Sequence, residues 1–182
     1  MSLFDNLTNL QQLVTLKLFN DLFPRPPAES KLQSLPQCNK FPPNLKRITL
    51  ADTFLDWKHM SVLGMMPELE ELKLKDNAFT GVRWILVDGG FKKLKALQIW
   101  KTDLAYWEAK AEHFPSLQHI VLKDCTRLWA IPSGLGNLET LLTIKLHQTS
   151  HAAATSAREI KQQQKESNVN NGLKVYIFPS DL

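Results

Sequence analysis

Six segments of this chain repeat one spacing of apolar residues, apolar-x-x-Leu-x-x-Leu-x-Leu, with Ile in place of some of the leucines. The last apolar positions of the six copies are Leu18, Leu50, Leu74, Ile99, Leu122 and Leu146. These positions are separated by 32, 24, 25, 23 and 24 residues, so the last five copies follow nearly one period. A fixed period of this length indicates a repeat architecture in which each unit stacks only on its neighbours.

The spacing also predicts the local structure of each unit. In Leu-x-Leu the two apolar side chains lie on one face of a short strand, because successive side chains of a strand alternate between faces. Parallel stacking of such strands buries the leucines in one core, and this arrangement is typical of leucine-rich repeats. The sequence therefore predicts an α/β fold, a leucine-rich-repeat solenoid of six repeats. A curved parallel sheet would form its concave face, and short helices and irregular turns its convex face.

The two ends of the chain depart from the repeat. We expect the solenoid to occupy residues 1–150 and a C-terminal cap to occupy residues 151–182. Within this cap, residues 152–166 favour a helix and residues 173–178 alternate like one more strand. A proline-rich surface loop is predicted at 23–30. No comparable cap precedes the first repeat, so we expect an uncapped start and a chain that is the C-terminal part of a longer protein.

The connectors between strands differ in their composition. Residues 56–63 and 106–111 are predicted to form short helical turns, whereas the Pro and Gly residues of 128–138 exclude a long helix. Cys125 is expected to be a buried structural thiol. Four tryptophans in the connectors are expected to fill the core: Trp57, Trp84, Trp107 and Trp129.

Motifs for catalysis and cofactor binding are absent from the sequence. It contains no glycine-rich phosphate loop, no His-Glu-x-x-His and no Cys-x-x-Cys, so we expect no enzyme activity, no cofactor and no metal. The first residues lack the features of a secretion signal, and no segment is apolar enough to span a membrane. We therefore expect a cytoplasmic protein.

The concave face is the candidate binding surface, because solenoids bind extended partners there. The residues between and beside the paired leucines would line it, and they include six cations but a single acid, Glu71. Since the whole chain has a net charge of only +4, the positive charge is concentrated on this face. Trp100 falls between Lys75 and Lys123. The predicted partner-binding residues are Lys17, Arg47, Lys73, Lys75, Trp100, Lys123, Lys145 and His147.

Two interpretations of this face remain open. It is either a solvated surface whose charges keep the protein soluble, or a binding surface for a protein partner. An exposed tryptophan beside lysines is typical of binding hot spots. A basic face favours an acidic protein partner, and nucleic acid is less favoured because repeated aromatics and arginine clusters are missing.

Several segments resemble one family. Residues 41–50 (FPPNLKRITL), 72–81 (LKLKDNAFTG), 89–91 (GGF) and 113–125 (HFPSLQHIVLKDC) are similar to the repeats of plant intracellular immune receptors. These receptors form the coiled-coil nucleotide-binding leucine-rich-repeat class of disease-resistance proteins, called NLRs. Residues 156–160 (SAREI) are close to the Ser-Ala-Lys-Glu-Ile of its late-blight-resistance-like members.

The resemblance implies a role in plant defence. In this family the repeats restrain the nucleotide-binding domain at rest and recognise pathogen effectors or guarded host proteins. Activation leads to resistance and to hypersensitive cell death. This sequence has neither the coiled-coil domain nor the phosphate loop, so nucleotide binding is not carried over. The alternative is a stand-alone leucine-rich-repeat adaptor or scaffold outside immunity.

Overall fold

The computed structural model describes Phe4 and residues 6–20, 32–169 and 172–179. The strands within these residues are β1 (Thr15–Phe19), β2 (Arg47–Ala51), β3 (Leu55–Asp56), β4 (Glu71–Lys75), β5 (Phe79–Thr80), β6 (Arg83–Ile85), β7 (Ala96–Trp100), β8 (Tyr106–Glu108), β9 (His119–Lys123), β10 (Thr143–His147) and β11 (Lys174–Phe178). The helices are α1 (Met60–Gly64) and α2 (His151–Glu166). The predicted proline-rich loop at 23–30 lies outside the described residues.

The main sheet has seven parallel strands in the order β1-β2-β4-β7-β9-β10-β11. Its register aligns the positions that the sequence pattern aligns: Leu16 pairs with Ile48, and Ile120 with Ile144. The paired apolar side chains therefore point to one side of the sheet. The chain is thus α/β with a mostly parallel sheet and few helices, an architecture compatible with stacked repeats.

The core lies behind this sheet and runs through the units as one cluster. Its centre is fully buried, for example at Leu72, Leu97 and Ile120. Strand β1 differs, since Leu16 and Leu18 are only half-buried at the edge of the sheet.

The connectors confirm some predictions and correct others. The chain turns helically at Trp57–His59 and then through α1, as predicted, with the Asp56 side chain accepting a hydrogen bond from the Lys58 backbone N–H. Residues 133–137 form only a short 3-10 helix. The prediction of a helical turn at 106–111 is wrong, since a 3-10 helix begins only at Ala111. Residues Tyr106–Glu108 are strand β8, which pairs in parallel with β6, because Tyr106 and Trp107 favour a strand there.

Three of the four connector tryptophans fill the core as predicted, and they stack on one another. The ring centroids of Trp57 and Trp84 are 5.2 Å apart, as are those of Trp84 and Trp107. The prediction for Trp129 is wrong, since this residue is 66% exposed. It stacks on Tyr106, which is one position before the buried Trp107, and adjacent positions of a strand face opposite sides.

Helix α2 and strand β11 form where the sequence predicts a helix and a strand. The Ser150 side chain accepts a hydrogen bond from the Ala153 backbone N–H and so caps the helix. The buried face of α2 includes Ala153, Ala157 and Ile160 and packs against the 133–137 turn. Strand β11 extends the main sheet beyond β10.

Candidate protein-binding face

We call the side of the main sheet opposite the leucine core the open face. The register places its side chains in three columns that cross the strands. One column, which we call the last column because its residues end the strands, reads Phe19, Ala51, Lys75, Trp100, Lys123, His147 and Phe178. Because stacked strands are about 4.8 Å apart, neighbours in a column contact each other.

The predicted binding residues do not form one patch. Lys17 is exposed on β1, and the Nε atom of Arg47 on β2 donates a hydrogen bond to Thr15 Oγ1 at 2.9 Å. On β4, Lys73 Nζ lies 2.9 Å from Glu71 Oε1, so the single acid of the face neutralises this lysine. These three cations are therefore separated from the remaining residues or already paired.

Lys75, Trp100 and Lys123 do come together at the centre of the open face. Lys75 Nζ lies 4.1 Å from the centroid of the Trp100 ring, and Lys123 Nζ lies 5.4 Å from it. The two lysines belong to the strands on either side of β7, so the half-buried ring lies between two ammonium groups. Such cation–π contacts orient the lysines at a modest gain in free energy. The Trp100 Nε1 atom is buried and has no hydrogen-bond partner among the described residues.

The C-terminal strand contributes aromatic residues that the sequence reasoning missed. Lys145 Nζ lies 5.8 Å from the ring centroid of Tyr176, and His147 stacks on Phe178 with centroids 4.8 Å apart. The sequence predicts a strand over residues 173–178, and aligning Val175 and Ile177 with the leucine positions places Tyr176 and Phe178 on the open face. We define the lysine–tryptophan cluster as Lys75, Trp100 and Lys123; Lys145, on the next strand, lies beside it over Tyr176.

The acidic residues near this face are held at its margin. Glu70, which precedes β4, pairs with Lys46 at 3.0 Å and with Lys95 at 2.9 Å. The hydrogen bonds from Lys95 and Lys46 lower the pKa of Glu70 to about 2. Glu68 pairs with Lys93 in the same region. Among the described residues, no salt bridge involves Lys75, Lys123 or Lys145.

Comparison with known proteins identifies the relatives of this chain. No protein-family model matches it. It is 33% identical over 138 residues to the late blight resistance protein homolog R1B-13 of Solanum demissum, and 31% identical over 142 residues to the homolog R1B-23 of the same species. These matches cover 75% and 77% of the chain. Over this stretch the chain is a late-blight-resistance-like region. It spans only 12% and 11% of the lengths of these two relatives.

Two buried titratable groups of this late-blight-resistance-like chain, His113 and Cys125, have structural roles. The ring of the buried His113 uses both nitrogens: Nδ1 accepts from the Lys110 backbone N–H at 3.1 Å, and Nε2 lies 3.0 Å from Asp88 Oδ1. The predicted buried position of Cys125 is confirmed, and burial raises the pKa of its thiol to about 12. In the described ranges no three His, Cys, Asp or Glu residues are grouped to hold a metal ion, and no helix could cross a membrane.

Proposed function

We propose that the chain is the protein-recognition and autoregulatory leucine-rich-repeat module of a plant intracellular immune receptor, acting in the cytoplasm. The observation that carries this proposal is the lysine–tryptophan cluster, in which Lys75 and Lys123 flank the Trp100 ring on the open face and form no salt bridge with any described residue. The names of its relatives, late blight resistance protein homologs, support a role in disease resistance. In this proposal the present chain, which spans about a tenth of the length of these relatives, is the part of the receptor that senses the partner.

The solenoid itself is part of the proposal. Support comes from the regular period of the leucine positions and from the in-register parallel pairing of seven strands. Asp52, Asp76, Lys101, Asp124 and Gln148 each follow a strand and share a left-handed backbone conformation, with φ from 46° to 54°. A repeated turn of this kind is expected when successive units have the same shape.

We also propose that the module binds and does not catalyse. Both nitrogens of His113 are engaged, and Cys125 is a buried thiol with a raised pKa, so neither is placed as a base or nucleophile. A face on which oriented lysines flank the half-buried Trp100 ring instead suits an acidic protein surface. Its partner would be a pathogen effector, a guarded host protein or the nucleotide-binding domain of the parent receptor.

The test measures binding of the purified chain to the nucleotide-binding domain of a late blight resistance protein homolog, together with the unfolding stability of each variant. We expect Trp100→Ala to weaken binding by about 2 kcal/mol, as central aromatic anchors do. Trp100→Phe is the matched control, because it keeps a ring for the lysines. Lys75→Glu and Lys123→Glu should slow association and reduce its dependence on salt.

Three outcomes separate the alternatives. Loss of binding with unchanged stability for Trp100→Ala supports the proposal. Loss of stability with unchanged affinity would mean that Trp100 is only a packing residue and that the open face is the wrong surface. Binding of an acidic partner outside immunity, with the same variant pattern and none to the receptor domain, would favour the adaptor.

A further inference from the structure

We propose that the lysine–tryptophan cluster binds an acidic segment in polyproline II conformation, with two carboxylates three residues apart. This inference rests on the proposed recognition function and specifies the chemistry of the partner. Lys75 and Lys123 are the two anchoring cations, and Lys145 is a neighbouring cation. The Gln98 side chain would form a hydrogen bond with the partner's backbone.

Lys75 and Lys123 are charged groups without a carboxylate partner among the described residues, whereas Lys73 on the same face is paired with Glu71. Contact with the Trp100 ring restricts where their ammonium groups lie, so less conformational entropy is lost when an anion binds. A partner carboxylate would therefore meet two oriented cations.

The spacing of the two lysines restricts the conformation of the partner. Lys75 and Lys123 occupy the same column on strands that are two positions apart, and two strand spacings amount to about 10 Å. Their Nζ atoms lie 4.1 Å and 5.4 Å from the centroid of the Trp100 ring between them, so the two ammonium groups are at most 9.5 Å apart. A partner needs two carboxylates on one side of its backbone at this separation. In a polyproline II segment, residues i and i+3 share one side and are about 9.3 Å apart. In a β-strand, side chains on one side are about 6.7 Å or 13.4 Å apart, and both distances differ from the strand separation of about 10 Å by about 3 Å.

An α-helix would also match this spacing, because its residues i and i+7 are about 10.5 Å apart. Gln98 lies on β7 in the column next to Trp100, half-buried between Lys73 and Val121. Within the described residues its side-chain amide makes no hydrogen bond. A polyproline II backbone has no internal hydrogen bonds and offers carbonyl groups to this amide, whereas the carbonyls of a helix are already bonded.

The same contacts argue against nucleic acid. The Trp100 ring is half-buried and lies between two ammonium groups, which leaves less of its surface for stacking bases. A carboxylate needs no stacking surface and contacts the ammonium groups directly.

The experiment titrates the ¹⁵N-labelled chain with synthetic peptides and follows the indole N–H signal of Trp100, which Trp100→Phe assigns. The probe is acetyl-Pro-Glu-Pro-Pro-Glu-Pro-amide, and its isomer acetyl-Pro-Pro-Glu-Glu-Pro-Pro-amide has the same charge with adjacent carboxylates. We expect the first peptide to bind about fivefold more tightly, since only its carboxylates reach both lysines. Lys75→Gln and Lys123→Gln should each remove this preference, whereas Lys17→Gln, on the same face, should retain it.

Equal affinity for the two isomers would overturn the inference, as would tighter binding of an alanine-based helix with Glu at i and i+7, or of oligodeoxythymidylate. The receptor-domain assay with the same variants keeps the two proposals separate. If the domain depends on Trp100 but the peptides are not distinguished, only this inference fails. If the peptides are distinguished but neither the receptor domain nor another immune partner is bound, the proposed function fails and the peptide specificity stands.

Discussion

At the scale of single residues, the turn after each inner strand of the main sheet imposes a backbone requirement. The residue that follows each of β2, β4, β7, β9 and β10 has a positive φ, as noted above. Three of these residues are Asp, which tolerates the left-handed region better than most residues. Lys101 and Gln148 do not share that tolerance, so these two turns carry avoidable strain.

Lys101→Asn should therefore stabilise the protein. We expect a gain of about 0.5–1 kcal/mol in the free energy of unfolding, because Asn is enriched in the left-handed region. Chemical denaturation measures this difference. The matched variant Lys101→Val should destabilise, since a β-branched residue is disfavoured at this φ of 50°. If Asn and Val had the same effect, backbone strain would not be the cause.

The two cysteines should differ in reactivity. Burial raises the pKa of the Cys125 thiol to about 12, whereas Cys38 is half-buried. We expect iodoacetamide at pH 8 to modify Cys38 in the folded protein and Cys125 only on unfolding, since the thiolate is the nucleophile. Mass spectrometry of native and denatured samples measures the alkylation rates of both cysteines, and equal rates in the native protein would contradict the assignment.

The raised pKa of Cys125 also affects stability. Because its pKa in the folded protein is raised, the associated stability is present below about pH 8.5 and is lost as the pH rises towards 12.

At the scale of elements, the connectors show how one position decides between core and surface. Trp84 and Trp107 are central in β6 and β8 and are buried, whereas Trp129 stacks on Tyr106, an outward residue of β8. The leucine pattern could not predict this difference, because connectors vary in length and do not keep the register of the main strands. The sequence shows which connectors contain a tryptophan, but the pairing of β6 with β8 determines which of their side chains face the core.

Trp84→Ala and Trp129→Ala should therefore separate sharply in stability. Trp84 is 1% exposed and contacts the rings of Trp57, Trp107, Phe91 and Phe114. Removing it should cost about 3–5 kcal/mol of unfolding free energy. For Trp129→Ala we expect a change within about 0.5 kcal/mol, as for other surface substitutions. Urea unfolding of both variants decides, and a large loss for Trp129→Ala would show that the connectors pack differently.

At the scale of the whole molecule, the period of the leucines was enough to predict the parallel pairing of six strands and the three open-face columns, and the alternation of residues 173–178 predicted the seventh strand. It did not predict which cations form salt bridges, because Lys73 is neutralised by Glu71 within its own strand. Nor did it predict the pairing of β6 with β8, because strands of three residues are too short to show a periodic pattern in the sequence. The binding role of the open-face residues stays a prediction.

Acid should weaken the molecule through the Glu70 pairs, which link the segments preceding β2, β4 and β7. The folded pKa of Glu70 is lowered to about 2, so its contribution is present above the unfolded pKa and is lost as the pH falls from about 4.5 to 2. The effect should be small, because the carboxylate is partly exposed. Glu70→Gln should flatten this part of the stability–pH profile, and Glu159→Gln, on the exposed side of α2, is the control. An unchanged profile in Glu70→Gln would contradict the role given to these pairs.

The stacked indoles of Trp57, Trp84 and Trp107 also make the protein a coupled chromophore. Their ring planes are inclined by 21° and 5° at centroid distances of 5.2 Å, so their excited states interact strongly. Such coupling splits the indole absorption band and produces a circular-dichroism couplet whose sign depends on how each ring is rotated relative to the next. Because each indole belongs to a different connector, the couplet depends on contact between successive units. The fold thus carries an optical signal for the stacking of its units, on the side of the sheet away from the open face.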